Sequence, residues 1–173
     1  MTESETFLPK ISKKELEELT DTWDYLYAIL DLYFDEMDDK GDDYVWERVN
    51  DDQAVLLIYR NLSDQVSNGG FVQMIYNGYG YSVFETVFMD LIKQTGLEKT
   101  FEVLTEAKKY YEKYKEKFEN VDREDWDAFS NLYKECPEFE KIDDKFYKIG
   151  DSDDNILLKY VKENISNYVI LTD

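Results

Sequence analysis

Residues 12–38 read SKKELEELTDTWDYLYAILDLYFDEMD, and this stretch indicates the fold class. Its apolar residues recur at steps of three and four, which is the period of a helix with one buried face. They are Leu16, Leu19, Trp23, Leu26, Leu30, Tyr33, Phe34 and Met37. Ser12 and Glu15 have the spacing of a capping box, so we expect a helix to begin at Ser12. Residues 20–22 (Thr-Asp-Thr) favour helix caps, so any break in this helix is expected there.

The same helical character continues along the chain. Asn50 and Gln53 have the spacing of a second capping pair. Ser82 and Glu85 have that of a third, which predicts a helix ending before Gly96.

The architecture that these signals predict is all-α. Proline occurs only twice and glycine seven times in 173 residues, and no alternating strand pattern of useful length is present. We predict a compact single-domain bundle of six to eight helices over residues 12–173. Residues 1–11 are predicted to be a flexible N-terminal lead.

Composition excludes most catalytic chemistry. The chain has no histidine, which removes the commonest general base and histidine-ligated zinc. Its one cysteine, Cys136, cannot form an internal disulfide or a cysteine metal site. We therefore predict a protein that is not an enzyme and that binds neither a cofactor nor a metal.

Net charge restricts the partners. Forty acidic residues against 20 basic ones give a net charge of −20, which repels phosphates and anionic membrane surfaces. No apolar run approaches the roughly 18 residues that cross a bilayer, and the N-terminus lacks the apolar core of a secretory signal. We expect no direct binding to nucleic acid, no membrane association and a cytoplasmic location.

The negative charge is concentrated in residues 15–52, where 15 acidic residues face only Lys40 and Arg48. On one continuous helix, six of these carboxylates fall within a stripe about 100° wide, opposite the apolar face. They are Glu17, Asp21, Asp24, Asp31, Asp35 and Asp38. Asp42, Asp43, Asp51 and Asp52 extend the acidic surface. We predict that these ten residues bind the partner.

The density of this charge is close to that of a DNA strand. A helix over residues 12–38 is about 40 Å long, and its nine acidic residues give one charge per ~4.5 Å. One DNA strand carries one phosphate per ~3.4 Å. Such a row could occupy a basic groove that normally binds phosphates. A solvated acidic face without a partner is the alternative interpretation.

Three other patterns are better explained by structure than by chemistry. Asn68-Gly69-Gly70 is not followed by the Lys-Ser or Lys-Thr of a phosphate-binding loop, and it favours a tight turn between helices. The acidic residues of 36–47 resemble a calcium loop, but Lys40 occupies a ligand position. Asp143-Asp144 could form a carboxylate pair in a cleft, and surface charge beside core aromatics is the alternative.

Two separated motifs resemble those of a bacterial protein family. They are NGGFVQMIYN at residues 68–77 and IDDKFY at residues 142–147. The chain is similar over about residues 45–150 to a domain family whose best-known member is a dimeric acidic DNA mimic that binds a transcription factor. It departs from the family pattern at Met74 and Ile75, where aromatic residues are usual. The resemblance implies an all-α fold and a homodimer, whereas both motifs lie outside the acidic segment.

Three functions remain open. The leading hypothesis is an acidic DNA mimic that binds the basic surface of a transcription factor or nucleoid protein and blocks its DNA binding. The second is an immunity or antitoxin protein that neutralises a basic toxin such as a nuclease. The third is a ligand-binding or enzymatic domain that uses the glycine-rich loops, with a pocket enclosing Asn68, Gln73, Asn77 and Asp143.

Overall fold

A computed structural model of the chain describes residues 5–125 and 127–173, and the described residues form nine α-helices and one short pair of strands. The prediction of an all-α fold is confirmed, and the described residues contain nine helices where six to eight are predicted. In chain order the elements are β1 (Lys10–Ser12), α1 (Lys13–Glu18), α2 (Thr22–Lys40), α3 (Asp42–Trp46), α4 (Asp51–Tyr76), α5 (Gly80–Phe84), α6 (Phe88–Gln94), α7 (Glu98–Glu119), α8 (Ala128–Glu135), α9 (Glu138–Glu163), a 3₁₀ turn (Ile165–Asn167) and β2 (Ile170–Thr172).

The chain divides into two compact units. The terminal unit comprises the chain up to Leu57 together with Asp154–Asp173, and the central unit comprises Ile58–Asp153. Both boundaries fall inside helices, α4 and α9 respectively. The prediction of a single folding domain stays a prediction.

Local capping explains how the terminal unit begins. The amide of Glu15 donates to Ser12 Oγ at 3.4 Å, so α1 starts where the capping box predicts. This helix ends at Glu18. Asp21 then caps α2, because its carboxylate accepts from the amides of Trp23 at 2.8 Å and Asp24 at 3.1 Å. The helix over residues 12–38 is therefore broken, and the break lies where the capping residues allow one.

A second capping pair starts α4. Gln53 N donates to Asn50 Oδ1 at 2.9 Å, and Asn50 N donates to Gln53 Oε1 at 2.8 Å. This reciprocal pair satisfies two helix-end amides, as the sequence predicts.

Two three-residue strands, which the sequence does not predict, close the terminal unit. β1 pairs with β2 in parallel, with Ile11 opposite Leu171. Strands this short cannot show an alternating pattern.

The sequence also predicts a flexible lead over residues 1–11. Residues 1–4 lie outside the described residues, whereas the amide of Phe7 donates to the Arg48 carbonyl at 2.9 Å.

The core of the terminal unit lies under α2. This helix buries Tyr25, Leu26, Ile29, Leu30 and Tyr33. Leu157 and Val161 of α9 are also fully buried, and the Tyr33 hydroxyl donates to the carbonyl of Tyr168. One face of α2 is thus fixed, which leaves its opposite face to solvent.

Aromatic rings form the core of the central unit. The ring of Phe71 lies 6.5 Å from Phe84, 6.3 Å from Phe139 and 5.8 Å from Phe146, measured between ring centroids. Stacked and edge-on arrangements at these distances add to the free energy of apolar burial. Phe71 therefore links the second half of α4 to α5 and α9.

The predicted helix opening at Ser82 and Glu85 is wrong. Two short helices, α5 and α6, occupy this region, and Glu85 follows the end of α5. Its carboxylate binds Lys115 Nζ at 2.7 Å and accepts from the Tyr111 hydroxyl. Tertiary partners have thus replaced the local cap. Gly96 follows the end of α6 with a positive φ of 87°, as its position predicts.

A tertiary contact caps α7. The Thr100 amide and hydroxyl donate to Asp153 Oδ2 at 3.0 and 2.7 Å, and this carboxylate is buried. The first turn of a helix leaves amides without intrahelical acceptors, and Asp153 supplies one.

The glycine pair in α4 produces a kink. Gly70 has φ 72° and ψ −176°, a backbone conformation that is open essentially to glycine alone. A Cβ at this position would lie 2.3 Å from Asp143 Oδ2. The interpretation of Asn68-Gly69-Gly70 as a turn between helices is consistent with this geometry.

We expect Gly70→Ala to lower the free energy of unfolding by about 3 kcal/mol, because it combines backbone strain with displacement of Asp143. Gly78→Ala is the matched control, since Gly78 also has a positive φ (94°) but has nothing within 4 Å of the added Cβ. That variant should lose about 1 kcal/mol. Urea denaturation measures both values, and equal losses would contradict the role of the Asp143 contact.

Candidate functional site

Four carboxylates form a row along the outer face of α2. The acidic row comprises Asp24, Asp31, Asp35 and Asp38, all exposed. At 100° per residue they lie within about 60° of one another and about 180° from the centre of the buried positions. Among the described residues, no lysine or arginine nitrogen lies within 4.0 Å of their carboxylate oxygens.

The two cations of the acidic segment are bound elsewhere. Lys40 Nζ lies 2.8 Å from Glu36 Oε1 and 5.1 Å from the ring centroid of Tyr44. Arg48 also stacks on the Tyr44 ring, with its guanidinium carbon 3.9 Å from the same centroid. Arg48 also lies 3.5 Å from Glu47. Both cations are therefore held by neighbouring groups, and the acidic row keeps its charge.

The charge density of α2 is below that expected for one unbroken helix. This helix is about 28 Å long, and six acidic residues against Lys40 leave one net charge per ~6 Å. One DNA strand carries one phosphate per ~3.4 Å. Helix α2 as a whole therefore resembles a phosphate path at about half the density of one strand.

Three of the predicted binding residues have structural partners. Glu17 lies on α1, across the break, and its carboxylate is 3.6 Å from Lys13 Nζ. The carboxylate of Asp21 caps α2. Asp52 is half-buried and accepts from the Tyr160 hydroxyl at 2.9 Å and Asn167 Nδ2 at 2.7 Å. The single six-residue stripe of one continuous helix is therefore not formed.

The remaining predicted residues are exposed. Asp42 and Asp43 lie in the first turn of α3, and Asp51 lies in the first turn of α4. Helix N-termini stabilise negative side chains by typically 0.3–1 kcal/mol, so these charges also assist folding. The sequence interpretation omits Asp39, which is exposed beside Asp38 and could have been found from the Asp-Asp pair.

Lysines of the central unit pair with carboxylates of another helix. Lys113 lies 2.6 Å from Glu138, and Lys145 pairs with Glu106. The terminal unit has 20 acidic and 7 basic residues, whereas the central unit has 20 acidic and 13 basic residues. The excess of acidic over basic residues is thus larger in the terminal unit, which contains the acidic row.

The two family motifs meet inside the central unit. The amide of Phe71 donates to Asp143 Oδ1 at 2.8 Å. The hydroxyl of Tyr147 donates to the carbonyl of Val66 at 2.9 Å. Burial raises the pKa of the Asp143 carboxyl to about 6, with the charges of Asp144 and Glu140 adding to this effect. The Phe71 amide acts in the opposite direction and lowers it. Through the Asp143 carboxylate, the second motif caps the part of α4 that begins at Phe71.

Amide side chains complete this arrangement. Gln65 Oε1 accepts from Gln73 Nε2 at 3.2 Å and from Asn77 Nδ2 at 2.7 Å. The Tyr133 hydroxyl donates to the carbonyl of Gly69 at 2.7 Å. Gln73 and Asn77 of the motif thus bind Gln65, and the Gly69 carbonyl binds Tyr133, which gives these motif residues a structural role.

The described part of the chain contains neither a cluster of metal ligands nor a helix that could span a membrane. No three acidic or thiol side chains among residues 5–125 and 127–173 are placed to hold a metal ion. No helix in those ranges is long and apolar enough to cross a bilayer.

Comparison with known proteins identifies a family and a relative. The family described as DMP19-like protein matches residues 47–164. A protein of Neisseria meningitidis serogroup B (strain ATCC BAA-335 / MC58), named "DNA mimic protein DMP19", is 31% identical over 139 residues, which cover 80% of this chain and 83% of the relative. The family match includes both motifs and α4 to α9, and it begins after the acidic row.

We expect Asp38→Lys to raise the free energy of unfolding by about 0.5 kcal/mol, since it removes repulsion from Asp35 and places a cation in the last turn of α2. Denaturant titration at low salt measures the gain, and 1 M salt should reduce it by screening. A loss of stability at low salt would show that the acidic row assists folding.

Asp143 predicts a pH dependence of stability. Because its folded pKa of about 6 is above its usual value of 3.8, the stability it contributes is greatest below about pH 4 and is lost as the pH rises through 6. Relative to Asp143→Asn, the wild-type free energy of unfolding should therefore fall between pH 4 and 6 and remain constant above 7. The same fall should persist in Asp144→Asn, which removes an exposed neighbouring charge. A constant difference between wild type and Asp143→Asn would contradict the raised pKa.

Proposed function

The chain belongs to the DMP19-like protein family, and from that membership we propose that it acts as a DNA mimic. It binds the basic surface of a DNA-binding protein, a transcription factor or nucleoid protein, and blocks that protein's binding to DNA. The observation that carries this proposal is the acidic row, whose four exposed carboxylates have no cationic neighbour within 4.0 Å among the described residues. The protein acts in the cytoplasm by binding and not by catalysis.

The carboxylates of the row stand in for phosphates. Lysine and arginine side chains of a DNA-binding surface form charge-assisted hydrogen bonds with carboxylates as they do with phosphate oxygens. Since the row is fixed on the outer face of a 19-residue helix, its charges are already aligned before the partner arrives. Asp39, Asp42, Asp43 and Asp51 continue the negative surface beyond the row.

Repulsion within the row favours complex formation. Asp31 and Asp35 are four residues apart on the same helix face, which destabilises a free helix by a few tenths of a kcal/mol. A basic partner neutralises both charges at once, and this removes the repulsion. Association is therefore expected to be fast at low salt and to weaken as salt is added.

The second hypothesis, neutralisation of a basic toxin, uses the same surface. The family membership favours a DNA-binding protein as the target. The third hypothesis requires free polar groups around the glycine-rich loops, whereas Gln73, Asn77 and Asp143 are bound to neighbours. The homodimer implied by the family stays a prediction.

We expect the triple variant Asp31→Lys, Asp35→Lys, Asp38→Lys to lose binding to the partner by at least 100-fold, because three attractive contacts become repulsive. Its helix content should be unchanged, since the substitutions lie on the exposed face. The matched control is Glu102→Lys, Glu112→Lys, Glu116→Lys on α7, which changes the net charge equally at three exposed positions. That control should bind within about threefold of wild type, the residual effect being long-range attraction.

The partner is first obtained by capture from the native bacterial lysate on the immobilised full chain, with elution by a salt ramp. Competition with duplex DNA on the purified partner, followed by fluorescence anisotropy, then tests mimicry. A partner that duplex DNA displaces, and that the α2 variant no longer binds, supports the proposal. Binding that resists both salt and DNA, or equal loss in both triple variants, would contradict it. A captured nuclease toxin would favour the second hypothesis.

A further inference from the structure

The terminal unit contains a half-open cavity of about 330 Å³. This volume lies at the lower end of the range of small-molecule sites. Its wall is mainly apolar, from Leu16 and Leu19 beside α1, Tyr25 of α2, Ile165 of the 3₁₀ turn and Leu171 of β2. The apolar wall is therefore built by four elements of the terminal unit.

Two ammonium groups lie at this cavity. Lys13 and Lys162 are among its lining residues, and both are exposed. Lys13 is already 3.6 Å from Glu17, which also lines the cavity. Lys162 Nζ lies 4.5 Å from the ring centroid of Tyr25, an arrangement that holds the ammonium over the aromatic face.

Lys162 differs from neighbouring lysines in having no counter-charge. Among the described residues, no carboxylate oxygen lies within 4.0 Å of its ammonium, whereas Lys159 on the same helix is 3.8 Å from Glu163. The terminal unit has 20 acidic residues against 7 basic ones, so carboxylates are abundant. An ammonium without a carboxylate beside an apolar cavity is a site for a ligand that supplies both an anion and an apolar body.

We propose that this cavity binds a small amphiphilic carboxylate of the fatty-acid class. The aliphatic chain packs against Leu16, Leu19 and Leu171, and the carboxylate binds the ammonium of Lys162. Burial of the CH₂ groups favours binding in proportion to chain length, so the aliphatic chain supplies most of the affinity and the ammonium selects the anion.

The net negative charge of the protein does not prevent this binding. The interaction between exposed charges is largely screened beyond about 8 Å at physiological ionic strength. The charges that decide binding are therefore those at the cavity, where Lys13, Lys162 and Glu17 give a net charge of +1. A neutral alcohol of equal chain length should bind in the same cavity more weakly, since it lacks the charge-assisted contact.

The test is a titration of the full chain with decanoate below its micelle concentration, followed by methyl NMR. We expect saturable shifts of the methyl signals of Leu16, Leu19, Ile165 and Leu171, and at least tenfold weaker binding of 1-decanol. Lys162→Met should weaken decanoate binding about tenfold and leave decanol binding unchanged, while Lys162→Arg should retain decanoate binding. The matched control is Lys159→Met, which removes a charge from the same helix away from the cavity and should bind decanoate as wild type does.

A variant of the apolar wall distinguishes the contribution of the aliphatic chain to binding from that of the carboxylate. Leu171→Gln should weaken decanoate and decanol equally, because it changes the wall and leaves the ammonium in place. Absence of saturable shifts at the cavity methyls in the wild-type protein would overturn the proposal. Equal affinities for decanoate and decanol, or an equal effect of Lys159→Met and Lys162→Met, would also overturn it. None of these measurements involves the DNA-binding partner, so their outcome is independent of the proposed function.

Discussion

The central unit depends on the hydrogen bond from the Phe71 amide to the Asp143 carboxylate. This contact brings the carboxylate so close to the chain that only glycine fits at residue 70. It also starts the second half of α4, and so it places the Phe71 ring among Phe84 and Phe139. Desolvation of Asp143, which raises its pKa, is a consequence of the same close packing. This one hydrogen bond therefore explains why residues of both family motifs are needed, and their role is in folding.

Lysines pair with carboxylates between elements of the central unit, whereas the acidic row of the terminal unit has no cation beside it. Lys113 and Lys115 bind carboxylates of other elements and so connect α7 to its surroundings. On α2 the repulsion between like charges amounts to a few tenths of a kcal/mol per pair, whereas each buried side chain such as Leu26 or Ile29 contributes about 1.5–3 kcal/mol. The buried face decides whether the helix forms. The exposed face is thus free to carry charges that folding does not require.

Sequence periodicity and local caps predicted the fold class, the start of α1, the place where a break before α2 would fall and the outward direction of the acidic row. Their predictions were wrong for carboxylates that bind residues distant in the sequence. Glu85 has the spacing of a cap, but Tyr111 and Lys115 bind its carboxylate. Asp52 similarly belongs to hydrogen bonds with residues more than 100 positions away. Strands of three residues carry no period at all, so the pairing of Ile11 with Leu171 could not be predicted.

The break at Asp21 gives the terminal unit two separate surfaces. Had α1 and α2 formed one helix, Glu17 would have extended the row, and the turn of chain that places Leu19 at the cavity would not exist. Because Asp21 caps α2, α1 leaves the helix axis and lines the cavity, while α2 alone carries the acidic row. The matched family region begins at residue 47, beyond both α1 and α2. The two proposed binding functions therefore depend largely on a part of the chain that lies outside the matched family region.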